Sequence, residues 1–189
     1  IAASNIGVEA MQYCGDRIGI YFLPQGADLK NAGVIYDRAH ASFSTALFPG
    51  KINWDTLLEG SDWFHFSAIS PALNEQAAAV CLDALKAAKR LGLTISVDLN
   101  YRAKLWKYGK QPSEVMPEML KYCHVILGDI DTAYFMLGKD KVKPDYTNEA
   151  SLPSLYGKLV EFCPDLKIAA TTLRYSISAS HQRIGGILF

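Results

Sequence analysis

The chain has 189 residues, of which 50% are hydrophobic and 20% charged, and its nineteen basic residues balance nineteen acidic ones. That length supports one domain with a hydrophobic core, and the composition excludes disorder and collagen-like repeats. A formal charge of zero argues against a nucleic-acid-binding surface, which needs a basic excess, but leaves room for a small basic pocket for one anion.

Cys14, Cys81, Cys123 and Cys163 are widely spaced and form no CxxC pair, so free thiols in a reducing compartment are expected rather than a disulfide framework or a zinc site. No stretch of 18 apolar residues occurs, so no membrane span is expected. The chain starts at Ile1 without a Met, a basic n-region or a small-residue cleavage site, so no signal peptide is expected, and the expected location is cytoplasmic. Both ends, Ile1–Ala10 and the apolar run Gly186–Phe189, read as cuts within a longer protein.

Residues 17–22 (RIGIYF) and 33–38 (GVIYDR) read as two strands joined by the turn-rich LPQGADLKNA, making a small sheet with two different faces. From Asp62 onward strands and helices alternate. Phe64–Ile69 is a strand stopped by Ser70-Pro71. Asn74–Leu91 is a helix whose buried face is Ala77, Cys81, Ala84, Leu85, Ala88 and Leu91, with Lys86, Lys89 and Arg90 near its end and Gly92 as its stop. Leu93–Leu99 is a strand and Ser113–Tyr122 a helix. His124–Leu127 is a short strand, followed by helices at 132–137 and 152–162. Lys167–Thr172, Tyr175–Ala179 and Gly186–Phe189 are further strands. The alternation predicts βαβ units and an α/β fold with a mainly parallel sheet.

Three clusters carry candidate chemistry. In the first, Arg17, Tyr21, Tyr36 and Arg38, period two puts Tyr36 and Arg38 on one strand face. Arg38 there could clamp a carboxylate in a bidentate fork while tyrosines bond hydroxyls; the competing reading is cross-strand Tyr–Arg packing on a solvated strand. The second, Asp98, Asn100 and Arg102, lies at a strand's C-terminal end, where open parallel sheets bind ligands. Its alternative is a surface turn with an Asp–Arg pair. The third, Gly128-Asp129-Ile130-Asp131, follows the next strand and either holds Mg²⁺ through water or caps a helix.

Other residues read as structural. His65 is expected to be a hydrogen-bonded core or edge residue, and Trp54, Trp63 and Trp106 to be packing residues. His40 and His181 lack metal-ligand spacing. The absence of G-x-x-x-x-G-K-[ST], G-x-G-x-x-G and G-x-S-x-G motifs disfavours P-loop enzymes, nicotinamide dehydrogenases and α/β hydrolases in turn.

The runs RIGIYF…GVIYDRAHAS, DWFHFSAISPAL, SVDLNYRAKLW and HVILGDIDTAYFMLG, in this order, closely resemble the ribokinase (PfkB-type) carbohydrate kinases. The D-x-N-x-R-x-x-L-W pattern, here Asp98, Asn100, Arg102, Leu105 and Trp106, and the Tyr36–Arg38 pair resemble the 2-dehydro-3-deoxygluconokinase branch. The resemblance implies a ribokinase-like sandwich with a β-sheet lid at residues 15–45. It implies substrate contacts at Tyr21, Tyr36, Asp37, Arg38 and Arg102, and nucleotide contacts at Asn100, Tyr101, Arg102, Asp131, Thr172 and Arg174. ATP and Mg²⁺ would be the cofactors, with Asp131 bearing on the metal, a sugar acid the substrate and a lid-mediated homodimer the assembly.

Three departures stand against the family pattern. Its N-x-x-E motif corresponds here to Gly128 and Asp131, and its glycine-bearing phosphate loop to Thr172–Ser176. No G-x-G-D motif, the source of the family's catalytic Asp, occurs before Phe189, so no catalytic residue is assigned and residues 1–189 read as part of a kinase domain. A fructokinase-like kinase and an inactive sugar-acid-binding module are the rival readings.

Overall fold

The computed structural model describes residues 2–23, 34–178 and 180–189. The LPQGADLKNA turn and Gly33 fall almost entirely outside this range. The strands on either side of it are shorter than expected. β1 (Ile20–Phe22) and β2 (Ile35–Asp37) pair antiparallel as a two-stranded sheet, with Tyr21 directly opposite Tyr36. Arg17 precedes β1 and Arg38 follows β2 rather than lying inside them.

Two one-turn helices, α1 (Ser42–Thr45) and α2 (Trp54–Leu57), lead into the main sheet. Its strands are β3 (Trp63–Ser67), β4 (Thr94–Asp98), β5 (Val125–Leu127), β6 (Ile168–Ser176) and β7 (Gln182–Leu188), in that spatial order. The first four run parallel, and β7 closes the row antiparallel to β6. The crossovers are α3 (Glu75–Arg90), α4 (Pro112–Leu120), and α5 (Ile130–Met136) with α6 (Leu152–Phe162).

The best-specified crossover is α3. Asn74 caps it by accepting a hydrogen bond from the Ala77 N–H at 2.7 Å, and Gly92, with φ +75°, takes the left-handed turn that ends it. Ala77, Ala84, Leu85 and Ala88 are buried as the periodicity requires, joined by Ala78, Val80 and Ala87. Leu91, expected on this face, is 42% exposed at the helix's C-cap. In α4 the Gln111 N–H donates to Glu114 Oε2 at 2.7 Å.

Sheet alternation assigns two unlike faces. Phe66, Ile95, Val97, Ile126 and Ala169 belong to one buried cluster with Leu85, Met116, Ile130 and Tyr156 of the helices. The other face carries Trp63, His65, Leu127 and Ile168, all exposed; Trp63 is 55% exposed and not the packing residue the sequence predicts. Trp63 and His65 converge on buried Ser96, with Trp63 Nε1 and His65 Nδ1 each 2.7 Å from its hydroxyl. His65 is thus the expected hydrogen-bonded edge residue. Trp54 packs edge-on against Phe64, and Trp106 is buried.

A second correction concerns the C-terminal strands. Residues 168–176 form one strand, not two, because pairing with β7 runs without interruption from Ala170↔Leu188 to Ser176↔Gln182. All four cysteines are free. Among the described residues, no helix is long and apolar enough to cross a membrane.

Candidate functional site

The carboxyl end of β4 is shaped by its own side chains. The Asp98 carboxylate accepts a hydrogen bond from the Asn100 N–H at 3.1 Å, closing a tight turn in which Asn100 takes φ +25°. Asn tolerates such a conformation better than most residues because its short amide can bond locally. The turn aims the chain out of the sheet. Tyr101 then packs edge-on against Phe135 of α5, their rings 5.0 Å apart, and Arg102 donates to the Tyr101 carbonyl at 3.0 Å from an exposed position.

The small sheet supplies the facing wall. Tyr21 and Tyr36 share one face, and the Arg38 guanidinium lies over the Tyr36 ring, 4.6 Å from its centre. A cation this close to a ring face gains from cation–π attraction. Asp37 projects from the opposite face, where Arg17 grips it. Arg17 donates to both carboxylate oxygens, at 3.0 and 2.6 Å, and to the Asp37 carbonyl at 2.9 Å. These bonds hold the Asp37 carboxyl below its ordinary range. Ile20, Phe22 and Ile35 share this second face and stay 42%, 54% and 59% exposed.

Between the two walls lies a cleft of about 560 Å³ lined by Val34, Tyr36, Tyr101, Arg102, Ala103 and Lys104. It brings together three of the residues singled out in the sequence, Tyr36, Tyr101 and Arg102. Its lining does not include Tyr21, Asp37, Arg38, Asn100, Asp131, Thr172 or Arg174. Lys104 is a member the sequence reading missed; its signal was the R-x-K step straight after the strand end.

A second feature follows β5. Gly128 has φ +141°, and a Cβ built there would lie 2.9 Å from Leu99 Cβ, so only glycine fits. Asp129 stands at the N-cap of α5 without a capping side-chain bond, and Asp131 is in the first turn. Partial burial, then the charge of Asp131, raises the Asp129 carboxyl above its usual value. Among the described residues no three His, Cys, Asp or Glu side chains gather to hold a metal ion. One or two carboxylates do suit Mg²⁺, which keeps several waters and takes its other ligands from substrate phosphates.

Thr172 and Arg174 lie inside β6, paired opposite Gly186 and Ile184, rather than in a loop after the strand. Both are exposed on the same face, and Arg174 donates from Nε to the Gln182 side chain.

No protein-family model matches the chain. Over 90 residues, 48% of this chain, it is 40% identical to a 2-dehydro-3-deoxygalactonokinase from Haloferax volcanii, covering 28% of that protein. A crystal structure of 2-dehydro-3-deoxygluconokinase from Thermotoga maritima superposes with a TM-score of 0.80 and 34% identity over 93% of this chain and 51% of that one. A PfkB family carbohydrate kinase from Listeria grayi does so with a TM-score of 0.77 and 29% identity, over 93% and 52%. The chain spans about half the length of these structural relatives. Over that half it is similar, in sequence and in fold, to these carbohydrate kinases.

Proposed function

We propose that the protein containing this chain is an ATP-dependent sugar kinase. It transfers the γ-phosphoryl group to the terminal hydroxyl of 2-dehydro-3-deoxy-D-gluconate. The observation that carries this reading is the cleft in which Tyr36 of the small sheet faces Arg102 and Lys104 beyond β4. A phenol opposite two cations suits a polyol that bears an anionic group. The substrates named by the H. volcanii and T. maritima relatives belong to that chemical class.

In this reading residues 15–45 act as a lid. Tyr36 and Tyr21 bond sugar hydroxyls, and Arg38 and Arg102 hold the carboxylate. Asp37 serves through Arg17, fixing the strand that carries Tyr36 and Arg38. Asn100, Tyr101 and Arg102 meet the phosphates, while Thr172 and Arg174 reach the nucleotide from β6. Asp131 holds Mg²⁺ through water, with Asp129 beside it. The metal, when bound, neutralises phosphate charge; the chain's own residues orient substrate and nucleotide, which is where phosphoryl transfer finds most of its rate enhancement. The exposed apolar side of the lid, Ile20, Phe22 and Ile35, suits pairing with a second copy. The reading places the enzyme in the cytoplasm.

The test is a coupled assay of the full-length protein with ATP and a panel of sugar acids and neutral ketoses. Turnover confined to 2-dehydro-3-deoxy sugar acids supports the proposal. Turnover of ketoses alone favours a fructokinase-like enzyme, and none at all favours an inactive binding module.

A further inference from the structure

The ladder between β5 and its neighbours stops at Leu127. Its last backbone bonds are Leu99 N–H to Leu127 O and Gly128 N–H to Ala170 O, both 2.9 Å. Beyond them the chain turns through Gly128 into the segment that carries Asp129 and Asp131. The Asp129 side chain makes no capping bond. What holds this turn from the side is a chain of buried hydroxyls.

Thr171 Oγ1 donates to the Gly128 carbonyl at 2.9 Å, and with its proton committed there it accepts from Tyr156 OH at 3.1 Å. Thr171 is 2% exposed and Tyr156 1% exposed. Thr171 is one of two buried polar residues among those described. Buried hydroxyls without partners are costly, so a relay in which every proton has one acceptor is held firmly in one arrangement. Gly128 leaves the turn no stiffness of its own, since glycine has the widest backbone freedom.

We infer that Thr171, backed by Tyr156, is a positioning residue that fixes the acidic turn Gly128–Asp131 against the end of the sheet. What the turn then does rests on the kinase reading: it presents Asp129 and Asp131 to the magnesium–nucleotide complex. Neither hydroxyl touches substrate. Their effect passes through the Gly128 carbonyl, and displacements of about 1 Å in such groups cost rate steeply.

The experiment uses the full-length protein with Thr171→Val, Thr171→Ser and Tyr156→Phe. The first readout is hydrogen–deuterium exchange of the peptide spanning 127–132, which needs no activity. Thr171→Val should speed exchange there about tenfold or more, with α3 and β4 unchanged, and Thr171→Ser should restore it. Tyr156→Phe should give the same pattern at smaller size, and it decides the matter if Thr171→Val fails to fold. The second readout is kinetic: KM for Mg·ATP should rise about three- to tenfold in Thr171→Val with KM for the sugar unchanged. Exchange at 127–132 that is unaltered, or that rises equally across the whole sheet, would overturn the positioning role. Wild-type protein that phosphorylates no sugar would instead overturn the kinase reading, and the exchange result would still decide the role of Thr171.

Discussion

Arg17 and Asp37 are twenty residues apart and meet in three hydrogen bonds, two to the carboxylate and one to the Asp37 carbonyl. The pair ties the stretch before β1 to the end of β2. It thereby sets where Tyr36 and Arg38, on either side of Asp37, project. Asp37 thereby fixes the small sheet through Arg17.

Arg17→Ala and Asp37→Asn should each loosen the small sheet without unfolding the main one. The expected result is several-fold faster cleavage within residues 15–45 under limited proteolysis, with little change in the melting temperature of the rest. The pH dependence has a definite sign. Pairing holds the folded carboxyl of Asp37 below its ordinary value. The Arg17–Asp37 contact is then complete at neutral pH and is lost as pH falls through that lowered value. Carboxyl chemical shifts of Asp37 followed from neutral to acid pH check this; a midpoint at or above the ordinary carboxylate value would contradict it.

Gly128 admits no side chain. Gly128→Ala places a methyl 2.9 Å from Leu99 Cβ in a backbone conformation that side chains rarely adopt. The combined strain should cost about 1–3 kcal/mol, read as a lower urea midpoint with an unchanged slope. Gly50→Ala is a useful control: it shares the left-handed backbone, but a Cβ there meets nothing within 4 Å. It should cost less.

Much of the parallel half of this fold is legible in the sequence because its signals are local. Asn74, the alanine-rich stripe of α3 and Gly92 announce a helix from cap to stop, and β4 follows as a β-branched run ending at Asp98. The Tyr21–Tyr36 pairing is legible as well, since both strands lie close in sequence. What escapes is set by distant pairing. Leu173 and Arg174 read as a break between two strands because nothing near them shows that β7 will extend β6 through Ser176. Trp63 reads as core because its sheet face is settled only by topology. The Arg17–Asp37 grip and the Tyr156–Thr171 relay likewise join residues whose separation carries no periodic signal.

The 189-residue chain purified by itself should show no kinase turnover. The proton acceptor that the family resemblance calls for has no counterpart before Phe189, and general-base help typically contributes about 10²–10⁴-fold. Phosphorylation of a sugar acid clearly above an enzyme-free control would contradict this and would require a base among the residues described above.

The last prediction separates a sugar acid from a neutral sugar. Arg38 is held over Tyr36 of the small sheet, whereas Arg102 stands beyond the end of β4 and lines the cleft. A carboxylate gripped by Arg38 in a bidentate fork gains roughly 1.5–3 kcal/mol from charge-assisted bonds. In the full-length enzyme, Arg38→Ala should therefore lower kcat/KM for the sugar acid about tenfold to a hundredfold. Arg38→Lys should recover only part, because an ammonium cannot make the fork. A neutral ketose offers no carboxylate and should be much less affected by either change. Arg102→Ala should harm both substrates if its guanidinium also meets phosphate. The measurement is kcat/KM for one sugar acid and one ketose in wild type and the three variants. Equal losses for both substrates in Arg38→Ala would remove the carboxylate clamp and move the fructokinase-like reading ahead.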